Sequence, residues 1–423
     1  MTEAQHLRRQ ELTAKHHARE AAETLTRLED GFPDNPEAMS YFYDLFRRTF
    51  CENEPVQTGP LVGTTCIQVP DELVRAAGGV PVRLCNGAHT MDQVGAEFMP
   101  SKSCPLVKAT LGVLHSDLPE WLKGLKGVVN VTTCDQKRKA GSLMEEGGYA
   151  VHHLEIPPAK DSEPARNYWR ESVRDFAKAL PKLTGGKLTR RSLRDAILEN
   201  GRAQQAYRRF HRLRREKPAL LLGKDAFLVG NAFFFDDLDR WTEAVEALVA
   251  ELEQRHADGF SAAQKRAPRI LFTGSPPVFP NLKVPLLIEQ AGGVIVADET
   301  CSSNRMLYDA VTVDEWNLYD MVDAVADRYL KPCTCPIFTS DADRKRRLLE
   351  MAKEFQVDGV VYQTFAGCQV FEMEHRSINQ TLDAAGIPSL YVETDYSPDD
   401  VGQLSTRVEA FIESLKTRRR RAR

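Results

Sequence analysis

A chain of 423 residues with 42% hydrophobic and 27% charged residues has material for two or three cored domains, which excludes a disordered polymer or a single small module. A formal net charge of -4 gives no general pull towards nucleic acid, and no apolar run reaches the length of a membrane span, so no nucleic acid and no membrane partner is expected. The charged N-terminal stretch has no apolar signal core, so the expected localisation is cytoplasmic; there the nine cysteines stay reduced and read as metal ligands or core residues rather than disulfides.

Residues 1–58 read as an N-terminal helical arm, with helices over 14–28 and 39–50. Residues 59–160 read as a first α/β domain. A strand opens at Leu61 and leads to Cys66, and a short helix over 71–77 closes at Gly78-Gly79. A strand over 81–84 ends at Cys85, and a loop runs to Ser103-Cys104-Pro105 before a helix over 106–114. The strand 127–131 ends in Thr132-Thr133-Cys134; its helix over 135–146 stops at Gly147-Gly148, and a last strand covers 151–156.

Residues 161–267 carry charge at 3.6-residue periodicity and read as a helical insert packed beside the sheets. Arg208, Arg209, Arg212, Arg214 and Arg215 give one of its helices a basic face, which reads as solvated rather than ligand-binding. Residues 268–423 form the second α/β domain. It has a strand over 269–275, a helix over 284–290, Gly292-Gly293, a strand over 294–298 and then Cys301. A helix over 314–329 precedes the loop Cys333-Thr334-Cys335-Pro336, and another covers 344–355. Val360, Val361, Tyr362 and Phe365 mark a buried strand, Ala366-Gly367-Cys368 a tight turn, 370–385 a helix and 390–392 a strand. The closing run Arg418-Arg419-Arg420-Arg421-Ala422-Arg423 reads as a solvated, disordered end.

The two sheet regions match each other. Leu73-Val74-Arg75-Ala76-Ala77-Gly78-Gly79-Val80 parallels Leu287-Ile288-Glu289-Gln290-Ala291-Gly292-Gly293-Val294, and each is followed by a strand and a cysteine, Cys85 or Cys301. Cys104-Pro105 parallels Cys335-Pro336, and Gly127-Val128-Val129 leading to Cys134 parallels Gly359-Val360-Val361 leading to Cys368. The expected fold is therefore α/β, with two similar Rossmann-like (flavodoxin-like) parallel-sheet domains facing across a cleft. In such sheets ligands bind at the carboxyl ends of the strands, where these cysteines fall.

Six facing thiolates are soft ligands, suited to zinc, copper(I) or iron–sulfur clusters. Neither CxxC nor CxxCxxC occurs, which leaves a cluster held by scattered loops of two domains, its charge offset by helix-start amides. The plain alternative treats the cysteines as small buried hydrophobes, and their recurrence at matching strand ends argues against it. No GxxxxGK[ST] or GxGxxG is present, so any input from ATP has to come through a partner. His152, His153 and His375 are proton-carrier candidates, though such histidines are more often surface or core residues. Glu372 and Glu374 are candidates to support Cys368, and the run Glu393-Thr394-Asp395-Tyr396 lies at the same sheet edge, lining the cleft or capping the next helix.

The segments TTCIQVPDELVRAAGGVPVRLC, SCPLVK, NVTTCDQKRKAG and FAGCQVFEMEHRSINQTLDAAGIPSLYVETDYSPDD resemble the 2-hydroxyacyl-CoA dehydratase and benzoyl-CoA reductase superfamily, from about residue 59 onward. Within it, the cysteines at Cys85, Cys301 and the CTCP loop are similar to those of the double-cubane cluster proteins. That branch implies two [4Fe-4S] units joined by a bridging sulfide, an [8Fe-9S] double cubane, in a homodimer. It also implies an ATP-hydrolysing iron–sulfur activator as electron donor and a small-molecule substrate of the acetylene type. Cys104, Cys134 and Cys368 match the single-cluster ligand positions of the dehydratases. Cys85, Cys301 and Cys335 are the added three, with Cys66 and Cys333 as rivals. The alternative implied is a 2-hydroxyacyl-CoA dehydratase subunit with one [4Fe-4S] cluster and a sister chain; a non-catalytic electron carrier is the third reading.

Overall fold

The computed structural model describes residues 2–302 and 309–421. Its sheets are two and parallel. In the first, β1 (Leu61–Thr64), β2 (Val80–Arg83), β3 (Leu125–Val131) and β4 (Val151–Leu154) lie in the order β2-β1-β3-β4. In the second, β5 (Arg269–Gly274), β6 (Val294–Glu299), β7 (Gly359–Phe365) and β8 (Ser389–Thr394) lie in the order β6-β5-β7-β8. The two orders are the same pattern, so the sequence repeat is a repeat of topology. Both sheets are all-parallel, the flavodoxin-like arrangement expected. β5 and β7 are buried along their whole length, which explains their unbroken apolar runs.

The repeated Gly-Gly pairs have one physical job. Gly78 and Gly292 adopt φ of 78° and 82°, which ends the helices Asp71–Ala76 and Lys283–Gln290 without a side-chain clash. The next glycine then bonds back into the last turn: Gly79 N–H to Val74 C=O at 2.9 Å, and Gly293 N–H to Ile288 C=O at 3.0 Å.

The elements depart from the sequence reading most at the following points. The first helix runs Glu3–Glu29, because Thr2 and Gln5 form a reciprocal capping box. The second runs only over Met39–Phe46 and widens into a π turn at Arg47–Cys51. The loop after Cys85 contains a helix, His89–Gly95, whose Gly95 packs on the backbone of Lys108. The helix expected from 314 starts at Leu318, where Asn317 caps it through the Asp320 N–H. The terminal arginines Arg418 to Arg421 continue the helix Val401–Arg421 instead of forming a disordered end.

The helices Glu163–Thr184, Arg190–Leu213, Gly223–Ala232 and Leu238–Ala257 fill the helical stretch. Gly223–Ala232 is buried along its length, with Gly223 against Ile295 of β6. The basic face is not uniformly solvated. Arg214 is 3% exposed and reaches Asp298 of β6 at 2.6 Å, while Arg209 and Arg215 pair with Glu253 and Glu354. One apolar core joins residues of both sheets, among them Val62, Val128, Ile270 and Val361. A second core, with Leu271, Phe355 and Val360, covers the opposite face of the second sheet. Among the described residues, no helix is long and apolar enough to cross a membrane.

Candidate metal centre

Strand order reverses between β1 and β3 in the first sheet and between β5 and β7 in the second, which opens a crevice at those carboxyl ends. Cys134 follows β3 and Cys368 follows β7. Three helices begin directly after a cysteine: Pro105–His115 after Cys104, Asp135–Glu146 after Cys134, and Gln369–Ala384 after Cys368. Amides of the first turn face each sulfur without closing a side-chain cap: Leu106 and Val107 at Cys104, Gln136 and Lys137 at Cys134, Phe371 at Cys368. Such amides favour negative charge on sulfur.

Backbone contact brings two of these loops together. Gly367 has φ of 81°, and a Cβ there would fall 2.1 Å from the carbonyl oxygen of Lys102. Only glycine lets the Cys368 turn lie this close to the Cys104 loop. Gln136 ties the third cysteine in: its Oε1 accepts the Cys104 N–H at 2.7 Å, and its Nε2 donates to the Gly367 carbonyl at 2.8 Å. Glu372 accepts the Gly367 N–H at 3.0 Å and fixes the turn from the other side. Cys104 and Cys368 meet thiol to thiol. Their interaction lowers Cys104 from the ordinary thiol value and raises Cys368 well above it, so the pair resists carrying two negative charges. Burial pushes Cys134 up.

A second group lies alongside. Cys66, Cys85 and Cys301 line one cavity of about 60 Å³, together with Lys137, Arg83 and several aromatic rings. Cys85 donates to the Thr65 carbonyl at 3.7 Å, and Lys137 Nζ donates to the same carbonyl. Burial opposes the Lys137 charge, but the thiols of Cys66, Cys85 and Cys134 outweigh it and raise the ammonium above its ordinary value. Lys137 thus serves both groups. Arg83 is held by the Thr64 hydroxyl at 3.1 Å and lies 4.4 Å over the Phe234 ring.

Cys335 is half-buried and does not line this cavity. Its loop is tied to the end of β6, where Thr334 donates to Glu299 and Arg344 bonds both. Cys333 is buried and accepts from Gln68 Nε2 at 2.6 Å. The histidines find other partners: His152 packs on Phe176, His153 pairs with Glu145, and the His375 ring lies tilted with its centroid 3.9 Å from that of Tyr391. Glu374 accepts from Arg344 at 2.7 Å and from the Tyr362 hydroxyl at 3.0 Å.

The structure therefore gathers Cys104, Cys134 and Cys368 from both sheets and sets Cys66, Cys85 and Cys301 beside them; Cys335 lies on the loop tied to the end of β6. Gln136 and Lys137 carry no sequence signal beyond their place in the first turn after a cysteine. Among the described residues, no three side chains of His, Cys, Asp or Glu are placed to hold one metal ion. A cluster accepts ligands spaced more widely than a single ion does. Soft thiols at three helix starts, with an ammonium nearby, are a donor set that fits such a cluster.

A family model described as "2-hydroxyglutaryl-CoA dehydratase, D-component" matches residues 66–415. The chain is 33% identical over 359 residues to YjiM of Escherichia coli (strain K12), named as a dehydratase subunit, covering 84% of this chain and 91% of YjiM. It is 25% identical over 378 residues to the (R)-2-hydroxyglutaryl-CoA dehydratase subunit beta of Acidaminococcus fermentans, covering 87% and 96%. It is 23% identical over 365 residues to the (R)-phenyllactyl-CoA dehydratase beta subunit of Clostridium sporogenes, covering 85% and 93%.

Proposed function

The chain belongs to the 2-hydroxyglutaryl-CoA dehydratase D-component family, and from that premise we propose that it is the cluster-bearing subunit of a 2-hydroxyacyl-CoA dehydratase. A single [4Fe-4S] cluster sits on Cys104, Cys134 and Cys368. What carries this reading is the meeting of those cysteines from two sheets at three helix starts, tied by Gln136 and by the close approach of Gly367. When bound, the cluster supplies low-potential electrons. The chain's own residues hold it, offset its charge through helix-start amides and Lys137, and keep the two sheets in register. The substrate class is a 2-hydroxyacyl thioester, in line with the names of the relatives. The partners are a second large subunit and an ATP-hydrolysing iron–sulfur activator, since the chain carries no nucleotide-phosphate loop of its own.

A second reading is favoured by one observation: Cys85 and Cys301, from opposite halves, line one cavity, with Lys137 between it and the first group. It is a double cubane that also recruits Cys85, Cys301 and Cys335, in a homodimer that reduces small molecules of the acetylene type.

Iron and acid-labile sulfide on anaerobically purified protein test both. About four irons per chain support the single cluster, and about eight with slightly more sulfide the double cubane. Replacing Cys134 or Cys368 by Ala should remove the cluster, and full iron in both variants would overturn the ligand assignment. Wild-type protein with little iron and nine titratable thiols sinks both readings.

A further inference from the structure

Arg83 is a buried cation with no carboxylate against it. Elsewhere such cations are paired: Lys108 meets Asp92, Arg214 meets Asp298, Lys224 meets Asp225 and Arg344 meets Glu299. Arg269 bonds four backbone carbonyls instead. Arg83 is 9% exposed and has neither kind of partner. Its Nε donates to the Thr64 hydroxyl and its guanidinium lies over the Phe234 ring. Its two terminal nitrogens make no hydrogen bond or ion pair among the described residues. Asp71 lies beyond ion-pair distance, and burial raises its carboxyl to about 6.

The fork is held in place. Arg83 closes β2 directly beside Thr64 of β1, and its N–H bonds the Phe234 carbonyl at 2.9 Å. It lines the cavity of about 60 Å³ together with Lys137, whose ammonium bonds only the Thr65 carbonyl among the described residues. Phe234, Phe235 and Trp121 supply apolar wall. The same cavity adjoins the first group of thiols, since Leu106 and Lys137 line it while their amides face Cys104 and Cys134.

An unpaired guanidinium in a wall of low dielectric is costly, and a planar carboxylate meets both terminal nitrogens in the geometry of the fork. Ring walls suit the methylenes behind it. Benzene occupies a cavity of roughly 150 Å³, so this smaller one takes a carboxylate and a methylene or two but no aromatic ring.

We infer that this cavity is an acid pocket for the substrate: Arg83 grips, through both terminal nitrogens, a carboxylate at the far end of a short 2-hydroxyacyl chain, with Lys137 as the second cation and the thioester end beside Cys104 and Cys134. The inference rests on the acyl-thioester reading above and narrows it to acid-ended chains.

The test titrates full-length protein, purified anaerobically, in a calorimeter. The probes are CoA thioesters of two five-carbon 2-hydroxyacyl chains, one ending in a carboxylate and one in the matching carboxamide. The carboxylate form should bind about tenfold tighter or more. Arg83→Gln should bring the two within about twofold, chiefly by weakening the carboxylate form. Val278→Phe, which fills the cavity from the other half of the chain and leaves the fork in place, should also erase the preference. Equal affinities in wild type, or a preference that survives in either folded variant, overturn the proposal. If Arg83→Gln does not fold, Val278→Phe decides. If neither thioester binds, free glutarate separates the two failures. Glutarate bound by wild type and lost in the variants upholds the pocket and removes the thioester reading; no glutarate binding removes the pocket.

Discussion

His17 lies 7% exposed on the first helix, its Nε2 3.1 Å from Asn86 Nδ2 and its ring edge-on to Phe50. Burial lowers its pKa to about 4 from the ordinary 6.5. The unfolded chain therefore takes up a proton below 6.5, while the folded chain resists until about 4. Stability falls as pH drops through that window, by about 3 kcal/mol at its lower end. His17→Leu should flatten this slope: denaturant midpoints at pH 7 and 4.5 should differ less in the variant than in wild type, and equal acid losses would remove His17 from the account. Gly367→Ala meets two obstacles, a left-handed φ and a carbonyl 2.1 Å from the new Cβ. We expect it to destabilise the protein by about 2–4 kcal/mol and to lower iron content, measured by melts and iron analysis side by side. Unchanged values for both would show that the two cysteine loops do not need this contact. At this scale the cysteines were legible because a soft ligand repeated at strand ends stands out. Gln136 and Lys137 were not, because their roles depend on which neighbours a helix start faces, and the sequence does not print that.

Elements are held by buried polar ties as well as by apolar faces. Glu289, on the helix Lys283–Gln290, accepts N–H bonds from Gly223 at 2.6 Å, Lys224 at 3.0 Å and Ile295 at 3.2 Å. One carboxylate thus serves the start of the buried helix Gly223–Ala232 and the edge of β6. Glu289→Ala leaves three buried amides unpaired and should cost about 3 kcal/mol or more, seen as a lower unfolding midpoint. A loss under half a kcal/mol would mean that water or a rearranged helix replaces the carboxylate. Strands and long helices were readable from apolar runs and Gly-Gly stops. His89–Gly95 was missed because seven residues give hardly two turns of periodicity. It stands on glycine-to-backbone contact instead: Gly112, of the neighbouring helix, would put a Cβ 1.9 Å from the Met91 carbonyl.

The whole molecule is a repeated frame with an unrepeated centre. The strand orders match, and the repeat would pair Cys85 with Cys301, Cys104 with Cys335 and Cys134 with Cys368. The gathered thiols keep Cys85 with Cys301 and Cys134 with Cys368, while Cys66 joins the former and Cys104 the latter, so each group takes two cysteines from the first half and one from the second. Sequence could show the frame because topology leaves its stops and turns in every copy. The repeat alone could not show the grouping, which depends on how one half leans on the other; the set Cys104, Cys134 and Cys368 comes only from the family resemblance. That lean has a consequence in air. Cys104 and Cys368 belong to opposite halves of the chain yet meet sulfur to sulfur. In protein without the proposed cluster, dioxygen can take two electrons and two protons from the pair as a covalent tether closes. The tethered chain should run faster on a non-reducing gel, and Cys104→Ser should abolish the faster band. Spoiled preparations would then be locked rather than unfolded, and a thiol reductant would be needed before iron could return.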